Sequence, residues 1–328
     1  MKRVLIANRG EIALRIIRAC RDLGIESVCV FSEADRGAPY LALADDAVCI
    51  GPGPANKSYL DIPRIIAAAE VTGADAVHPG YGFLAENAHF ASVCRDCKLE
   101  FIGPSPEAME LLGDKISCKA MARKARVPVF PGSENAVEDP DEAAKIAKET
   151  GYPVIVKAAA GGGGRGMRIA RSEQEVRQAI RQAAQEAEAA FGNGAVYIEK
   201  FLEHARHVEV QVLGDKHGSA VHLYERDCST QRRHQKLIEE APGPHIDAKK
   251  RDDVCKAAAR LIKNAGYAGA ATVEFLMDGK QNFYLLEVNT RVQVEHPVTE
   301  LITGVDIVAT GIRVASGEAL PMRQRDVK

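Results

Sequence analysis

Glu274 and Glu287 stand at equal distances from the Lys280-Gln281 peptide, inside two apolar-rich runs, 272–277 and 282–289. Asp278-Gly279 between the runs is a strong turn signal, so the segment reads as an antiparallel hairpin. That pairing sets the two carboxylates opposite each other on one face. Like charges so placed repel unless a cation lies between them. Oxygen donors with no Cys or nearby His suit Mg²⁺ or Mn²⁺ rather than zinc. The same period of two continues through Asn289 and Arg291, and through Gln293 and Glu295 where the chain stays extended. Leu286 and Val288 alternate with this row and are apolar, so one side of the sheet is buried. A metal–phosphate site explains the polar row better than a solvated face does.

A second chemical feature is the run Gly161 to Gly164, followed by Arg165 and Gly166. Apolar runs, 153–158 and 167–170, flank it, which makes it the loop of a hairpin. A Walker loop needs Lys and Ser or Thr after its last glycine and then a helix, but Met167 and Arg168 occupy those places. Bare amides in a concave turn still bind anions. With Lys157 on the preceding strand, the loop reads as phosphate cover. The polar segment 225–236 adds Arg226, Arg232, Arg233 and Lys236 as further groups able to hold anions.

These groups need elements to hold them. Residues 3–7 form a compact apolar run, and Ile12, Ala13, Ile16, Ile17, Cys20 and Leu23 follow at helical spacing up to Gly24. Strands at 27–31, 75–78 and 100–102 alternate with helices at 59–72 and 86–98. That repetition predicts an open parallel sheet with helices on both faces over residues 1–113. The first strand–helix turn lacks G-x-G-x-x-G, which argues against a dinucleotide enzyme. His78-Pro79-Gly80-Tyr81-Gly82 is a turn-rich loop at the end of a strand. Further along, 194–199 and 206–213 read as strands. In the latter, Val208, Val210 and Val212 form the expected buried face, with His207, Glu209 and Gln211 on the other. Residues 172–191 read as a polar helix with a solvated face.

Composition sets outer bounds. The 328 residues fit about two domains. A net charge of −2 supplies no basic field for nucleic acid or anionic lipid. No apolar run approaches the roughly 18 residues of a membrane span, and the apolar stretch at the start is too short for a signal peptide. Of eight scattered cysteines, Cys94 and Cys97 form the one C-x-x-C and read as small buried residues, and unpaired cysteines suggest a reducing compartment, the cytoplasm or an organelle matrix.

The combined motifs closely resemble the biotin carboxylase family of the ATP-grasp superfamily. They are Ile6-Ala7-Asn8-Arg9-Gly10-Glu11-Ile12-Ala13, the His78–Gly82 loop, Gly161 to Met167, Arg232-Arg233-His234-Gln235-Lys236, and the string from Glu287 to Pro297. The resemblance runs in order along essentially the whole chain. It implies an α/β and α+β protein: a Rossmann-like N-terminal domain (1–113), then an ATP-grasp region (114–328). The latter holds a glycine-loop lid (about 131–203) that closes on ATP and a catalytic core (204–328).

The resemblance also implies roles. Lys115 and Lys157 match phosphate-binding lysines, and Gly162, Gly163, Gly164 and Gly166 match the lid loop. Glu199, Lys200 and Leu202 match the adenine hinge, and His207, Gln231 and His234 match nucleotide contacts. Glu274 and Glu287, with Asn289 beside them, match the magnesium ligands. Lys236, Arg291, Gln293 and the backbone of Val294 match the bicarbonate cradle, and Glu295 the general base. The implied reaction uses ATP, Mg²⁺ and bicarbonate to carboxylate biotin carried on a separate domain or chain, beside a carboxyltransferase component.

In the family the chain continues past this point. The continuation completes the ATP-grasp core, supplies an arginine that steadies the biotin enolate, and forms much of the dimer interface. This sequence stops at Lys328, so the expectation is a C-terminally truncated member. Its ATP and bicarbonate chemistry is present, while its biotin step and homodimer are weakened or lost. The competing readings are a non-catalytic nucleotide-binding fragment and another ATP-grasp ligase.

Overall fold

The computed structural model describes residues 1–158, 167–192, 194–233 and 235–328. The chain forms two compact units. The first comprises Met1–Val127, His207–Phe275 and Glu287–Lys328, and the second comprises Pro128–Arg206 and Leu276–Leu286.

The first unit begins with alternating strands and helices. In order these are β1 (Arg3–Ile6), α1 (Gly10–Asp22), β2 (Glu26–Phe31), β3 (Asp46–Cys49), α2 (Ile62–Thr72), β4 (Ala76–His78), α3 (Ala88–Asp96) and β5 (Glu100–Phe101). The strands pair in parallel in the order β3-β2-β1-β4-β5. Successive β1 residues enter opposite cores. Val4 and Ile6 pack with Ile12, Ile16 and Ile312, while Leu5 packs with Val28, Ile65 and Phe90. A parallel sheet covered on both faces requires such a continuous apolar run. The edge strand β3 has no buried residue, so its sequence carried no strand signal.

Two helices start later than their apolar spacing suggested. Asp61 caps α2 by accepting from Arg64 N at 3.2 Å. Tyr59, expected in that helix, is buried instead, and its hydroxyl donates to Asp35 at 2.6 Å. Asn87 caps α3 by accepting from Phe90 N at 2.8 Å, which leaves Glu86 outside the helix. Two further helices, α4 (Pro106–Gly113) and α5 (Lys115–Lys124), are capped by Ser105 and Asp114.

The second unit holds α6 (Pro140–Thr150), β6 (Val154–Ala158), β7 (Arg168–Ala170), α7 (Glu173–Phe191) and β8 (Val196–Lys200). The strand order is β7-β6-β8, antiparallel throughout. Ile155 pairs with Ile169 across β6 and β7, as the strand–glycines–strand order predicts. Val154, Val156, Ala170, Val176, Ile180 and Ile198 form its core. Lys157 alternates with those valines and is half-buried.

The chain then adds β9 (Arg206–Gly214), β10 (Ala220–Arg232), β11 (Gln235–Glu240), α8 (Ala248–Asn264), β12 (Gly269–Met277), β13 (Phe283–Asn289), α9 (His296–Thr303) and α10 (Ile307–Ala315). The second sheet has the order β11-β10-β9-β12-β13. Its central strand corrects one expectation. Val208, Val210 and Val212 are buried as predicted, but Glu209 and Gln211 on the other face are buried too. They are covered because Arg226, the register partner of Glu209 on β10, supplies the hydrogen bonds they would otherwise take from water.

Candidate active site

The predicted polar row gathers around Glu274 on β12. Lys236 Nζ donates to Glu274 Oε1 at 2.9 Å, Asn289 Nδ2 to the same oxygen at 2.8 Å, and Gln293 Nε2 at 3.3 Å. His207 Nε2 lies 2.7 Å from Glu274 Oε2. Gln231 Nε2 donates to the Cys228 carbonyl at 2.9 Å and lies 2.9 Å from His207 Nδ1. A carbonyl requires a donor, so the Gln231 amide nitrogen faces that way and Nδ1 accepts. The hydrogen of His207 therefore sits on Nε2 and is given to Glu274.

Lys236 is the second centre. Besides Glu274 it pairs with Glu209 and, at 2.7 Å, with Glu295 Oε1. Burial works against its charge, but Glu209, Glu274 and Glu295 prevail and hold its pKa above the ordinary lysine range. Glu274 and Glu295 respond in the opposite direction. Burial would raise both, yet the His207 hydrogen bond and Lys236 lower Glu274, and Lys236 lowers Glu295. Glu295 is thus an ionised carboxylate held beside an ammonium.

Arg291 is fixed on three sides. Its Nη1 donates to Gln293 Oε1 at 2.9 Å, Nη2 to Asn289 Oδ1 at 3.2 Å, and Nε to Glu86 Oε2 at 2.8 Å. The other Glu86 oxygen accepts from Thr290 N at 3.0 Å. The row reaches this arrangement differently from the extended chain expected. β13 ends at Asn289, and Gln293 O accepts from His296 N at 3.3 Å to form a turn. His296 then starts α9, with Pro297 in its first turn and Glu295 as its flanking residue. A turn, not strand alternation, brings Gln293 and Glu295 to Lys236. Val294 is exposed.

Glu287 carries the electrostatic signature predicted for a metal site. Its side chain keeps an open edge to solvent, but protein atoms crowd the carboxyl and Glu274 lies close. Desolvation and the Glu274 charge raise its pKa, and Lys115, the first residue of α5, partly opposes them. A divalent cation would relieve this repulsion. The oxygens of Glu274, Glu287 and Asn289 are hard donors of the kind Mg²⁺ prefers. The expectation of no nearby His is corrected, because His207 contacts Glu274. Both its ring nitrogens are engaged within the protein, and His207, Glu209 and Glu274 lie close enough together to share an ion. Glu209, Cys228 and Glu295 also lie close enough to share an ion. There Lys236 already neutralises both carboxylates, and burial with the Glu209 charge raises Cys228 so that it remains a thiol.

The second unit brings together Lys157 and Glu199, 2.5 Å apart, with the Lys157 ammonium over the Phe130 ring. Lys200 Nζ donates to the carbonyls of Gly151 and Tyr152 at 2.9 and 2.8 Å, so its side chain braces a turn. Leu202 is partly exposed beyond β8. Gly162, Gly163, Gly164, Gly166 and His234 lie outside the described residues.

The N-terminal motifs serve the same unit as Lys236. Asn8 is buried and donates to the carbonyls of Pro79 and Tyr81, both at 2.7 Å, tying the first strand–helix turn to the His78–Gly82 loop. Gly80 has φ +64°, and a Cβ there would meet Asn8 and Ile12 at 3.0 Å. Of the cysteine pair, Cys94 is buried as expected but Cys97 is exposed, and both are free thiols. No helix among the described residues is long and apolar enough to cross a membrane.

Comparison with known proteins gives consistent matches along the chain. Residues 1–109 match the family described as biotin carboxylase, N-terminal domain, and residues 114–323 match carbamoyl-phosphate synthase L chain, ATP binding domain. The biotin carboxylase of Pseudomonas aeruginosa is 58% identical over 328 residues, covering 100% of this chain and 73% of the relative. Biotin carboxylase 1 of Bacillus subtilis is 53% identical with the same coverage. Among solved structures, a biotin carboxylase–β,γ-ATP complex from Campylobacter jejuni superposes with a TM-score of 0.94 at 52% identity, covering 100% of this chain and 73% of that one. The biotin carboxylase domain dimer of 2-oxoglutarate carboxylase from Hydrogenobacter thermophilus, with MgADP, ADP and bicarbonate, gives 0.91 at 50%, covering 100% and 72%.

Proposed function

Because this chain belongs to the biotin carboxylase family, we propose that it is an ATP-grasp ligase that uses ATP and bicarbonate to carboxylate biotin. The observation that carries the reading is the Lys236–Glu295 pair beside the Arg291–Gln293 clamp. Bicarbonate is a weak nucleophile. A carboxylate that stays ionised next to it can take its proton, and that is the state in which Lys236 keeps Glu295. Arg291 brings a planar guanidinium whose donors would pass from Gln293 or Asn289 to carboxylate-type oxygens, and Lys236 offsets their charge.

Attack of the deprotonated bicarbonate oxygen on the γ-phosphorus of ATP forms carboxyphosphate and releases ADP. Carboxyphosphate then separates into CO₂ and phosphate, and CO₂ joins the ureido nitrogen of biotin as the released phosphate takes that nitrogen's proton. Negative charge accumulates in the first step. Lys115 and Lys157 are assigned to the phosphates, together with the glycine loop. Glu274, Glu287 and Asn289 would hold Mg²⁺, whose chemistry is charge neutralisation on the phosphates. Glu199, Lys200, Leu202, His207, Gln231 and His234 are assigned to the nucleoside side.

The domain division at about residue 113 and a lid over about 131–203 belong to the same proposal. So do a biotinylated carrier, a carboxyltransferase component and the family's homodimer as partners. The free thiols fit a reducing compartment, the cytoplasm or an organelle matrix.

The test measures ADP release with and without bicarbonate, and follows labelled bicarbonate into carboxybiotin with free biotin present. Dependence on both acceptors supports the full reaction. ADP release indifferent to bicarbonate overturns the reading. Bicarbonate-dependent ADP release without labelled carboxybiotin confines the chain to the first half-reaction.

A further inference from the structure

One arginine organises the polar core behind Lys236 and has no place in the chemistry above. Arg226 on β10 is completely buried. Its Nε donates to Glu209 Oε1 at 2.6 Å. Its Nη1 donates to Gln211 Oε1 at 2.9 Å and to Thr299 Oγ1 at 2.8 Å, and Nη2 reaches Thr272 Oγ1 at 3.4 Å. Burying a cation is costly even when it is paired, and an apolar side chain of similar volume often serves stability as well or better. Stability alone therefore gives a weak reason for an arginine here.

Its partners give a stronger one, because two of them lead to opposite sides of the Lys236–Glu295 pair. Glu209 is shared: one oxygen takes Arg226 Nε and the other takes Lys236 Nζ. Thr299 lies in the first part of α9, the helix that Glu295 flanks. One rigid guanidinium thus holds the carboxylate that orients the lysine and the helix that carries the glutamate. A lysine at this position would be a flexible point charge and would not span both directions.

We infer that Arg226 is a positioning residue that sets the Lys236–Glu295 separation, acting through Glu209 on one side and Thr299 on the other. The inference rests on the reading that this pair acts on bicarbonate.

Steady-state kinetics of the full chain test it, with Arg226→Met, Arg226→Lys and Thr299→Val variants beside the unaltered protein. Loosening the pair by a fraction of an ångström is expected to lower kcat/KM for bicarbonate about 100-fold in Arg226→Met. The KM for ATP should stay within about twofold, because ATP contacts are made elsewhere. Arg226→Lys should recover part of the loss. Thr299→Val, which keeps the fold's charges intact, should raise the bicarbonate KM about threefold to tenfold.

A merely structural arginine would reduce the folded, active fraction. That lowers kcat in proportion and leaves both KM values unchanged, and this result overturns the inference. Normal bicarbonate kinetics in Thr299→Val together with Arg226→Lys overturn it as well. Absence of bicarbonate-dependent ADP release in the unaltered chain would sink the functional reading itself, and the positioning role with it.

Discussion

Lys236 Nζ and Glu295 Oε1 lie 2.7 Å apart, although the residues are 59 positions apart in the chain, one on β11 and one before α9. Lys236 also holds Glu209 and Glu274, so three carboxylates converge on one ammonium. The pair is therefore unequal. Glu295 depends on Lys236 for its ionised state, whereas Lys236 keeps two other partners if Glu295 is neutralised.

That inequality makes a prediction about paired substitutions. Glu295→Gln keeps shape and removes the carboxylate proposed as the base, so bicarbonate-dependent ADP release should fall about 100-fold or more. Its thermal midpoint should change little. Lys236→Gln leaves buried Glu274 and Glu295 without their cation, while Glu209 keeps Arg226, and should cost about 3–5 kcal/mol of stability. Calorimetry and turnover on the two variants separate these outcomes. Near-normal turnover in Glu295→Gln would remove it from the proton-transfer role.

Glu287→Gln should separate activity from stability. The carboxyl of Glu287 is raised by desolvation and by Glu274, so without a divalent cation the pair is repulsive. Neutralising it should leave the metal-free protein as stable as before or slightly more so. Activity at limiting Mg²⁺ should fall at least about tenfold and be partly restored by excess Mg²⁺. A variant that is both less stable without metal and indifferent to Mg²⁺ would assign Glu287 a structural role instead.

Glu86 is the unforeseen partner of Arg291, which we propose binds bicarbonate. It accepts from Arg291 Nε and from Thr290 N, fixing the guanidinium and the backbone that carries it. Glu86→Gln keeps one of the two acceptor oxygens and removes the charge, so one of the bonds to Arg291 and Thr290 is lost. We expect the bicarbonate KM to rise about threefold to tenfold, with kcat nearly unchanged. Initial rates over a bicarbonate series check this, and a change confined to the ATP KM would contradict it.

The legibility of these groups in the sequence follows their locality. Glu274 and Glu287 flank a short turn, so spacing alone brought them together. Val154, Val156 and the glycines announced a hairpin for the same reason. Glu86 is 204 positions from Thr290, and no local pattern links them. Glu209 was visible on its strand but was assigned to an open face. What buries it is Arg226 on the neighbouring strand, and a cross-strand ion pair leaves no periodic trace in one sequence. Gln293 and Glu295 were expected in the polar row by strand alternation. The chain turns before Pro297 and reaches the same place by another route.

The parallel sheet carries a pH dependence of stability. His78 ends β4 and is buried, with its Nδ1 accepting from Gly80 N at 3.0 Å. Burial, with smaller contributions from Arg15 and His296, lowers its pKa from 6.5 to about 3. The unfolded chain binds this proton below about pH 6.5, whereas the folded chain refuses it until about pH 3. Stability is therefore fully present above pH 6.5 and is lost as pH falls through that window, at up to about 1.4 kcal/mol per pH unit for one group. His222, lowered by burial to about 4, adds a second contribution of the same sign. In His78→Asn the amide oxygen can accept from Gly80, and the variant carries no titrating ring. Denaturant unfolding between pH 6.5 and 5, where most carboxylates are already ionised, should show a slope smaller by close to one proton than in the unaltered chain. Equal slopes would mean that His78 is protonated in the folded state, and that its hydrogen bond to the Gly80 amide is not the one that fixes the loop.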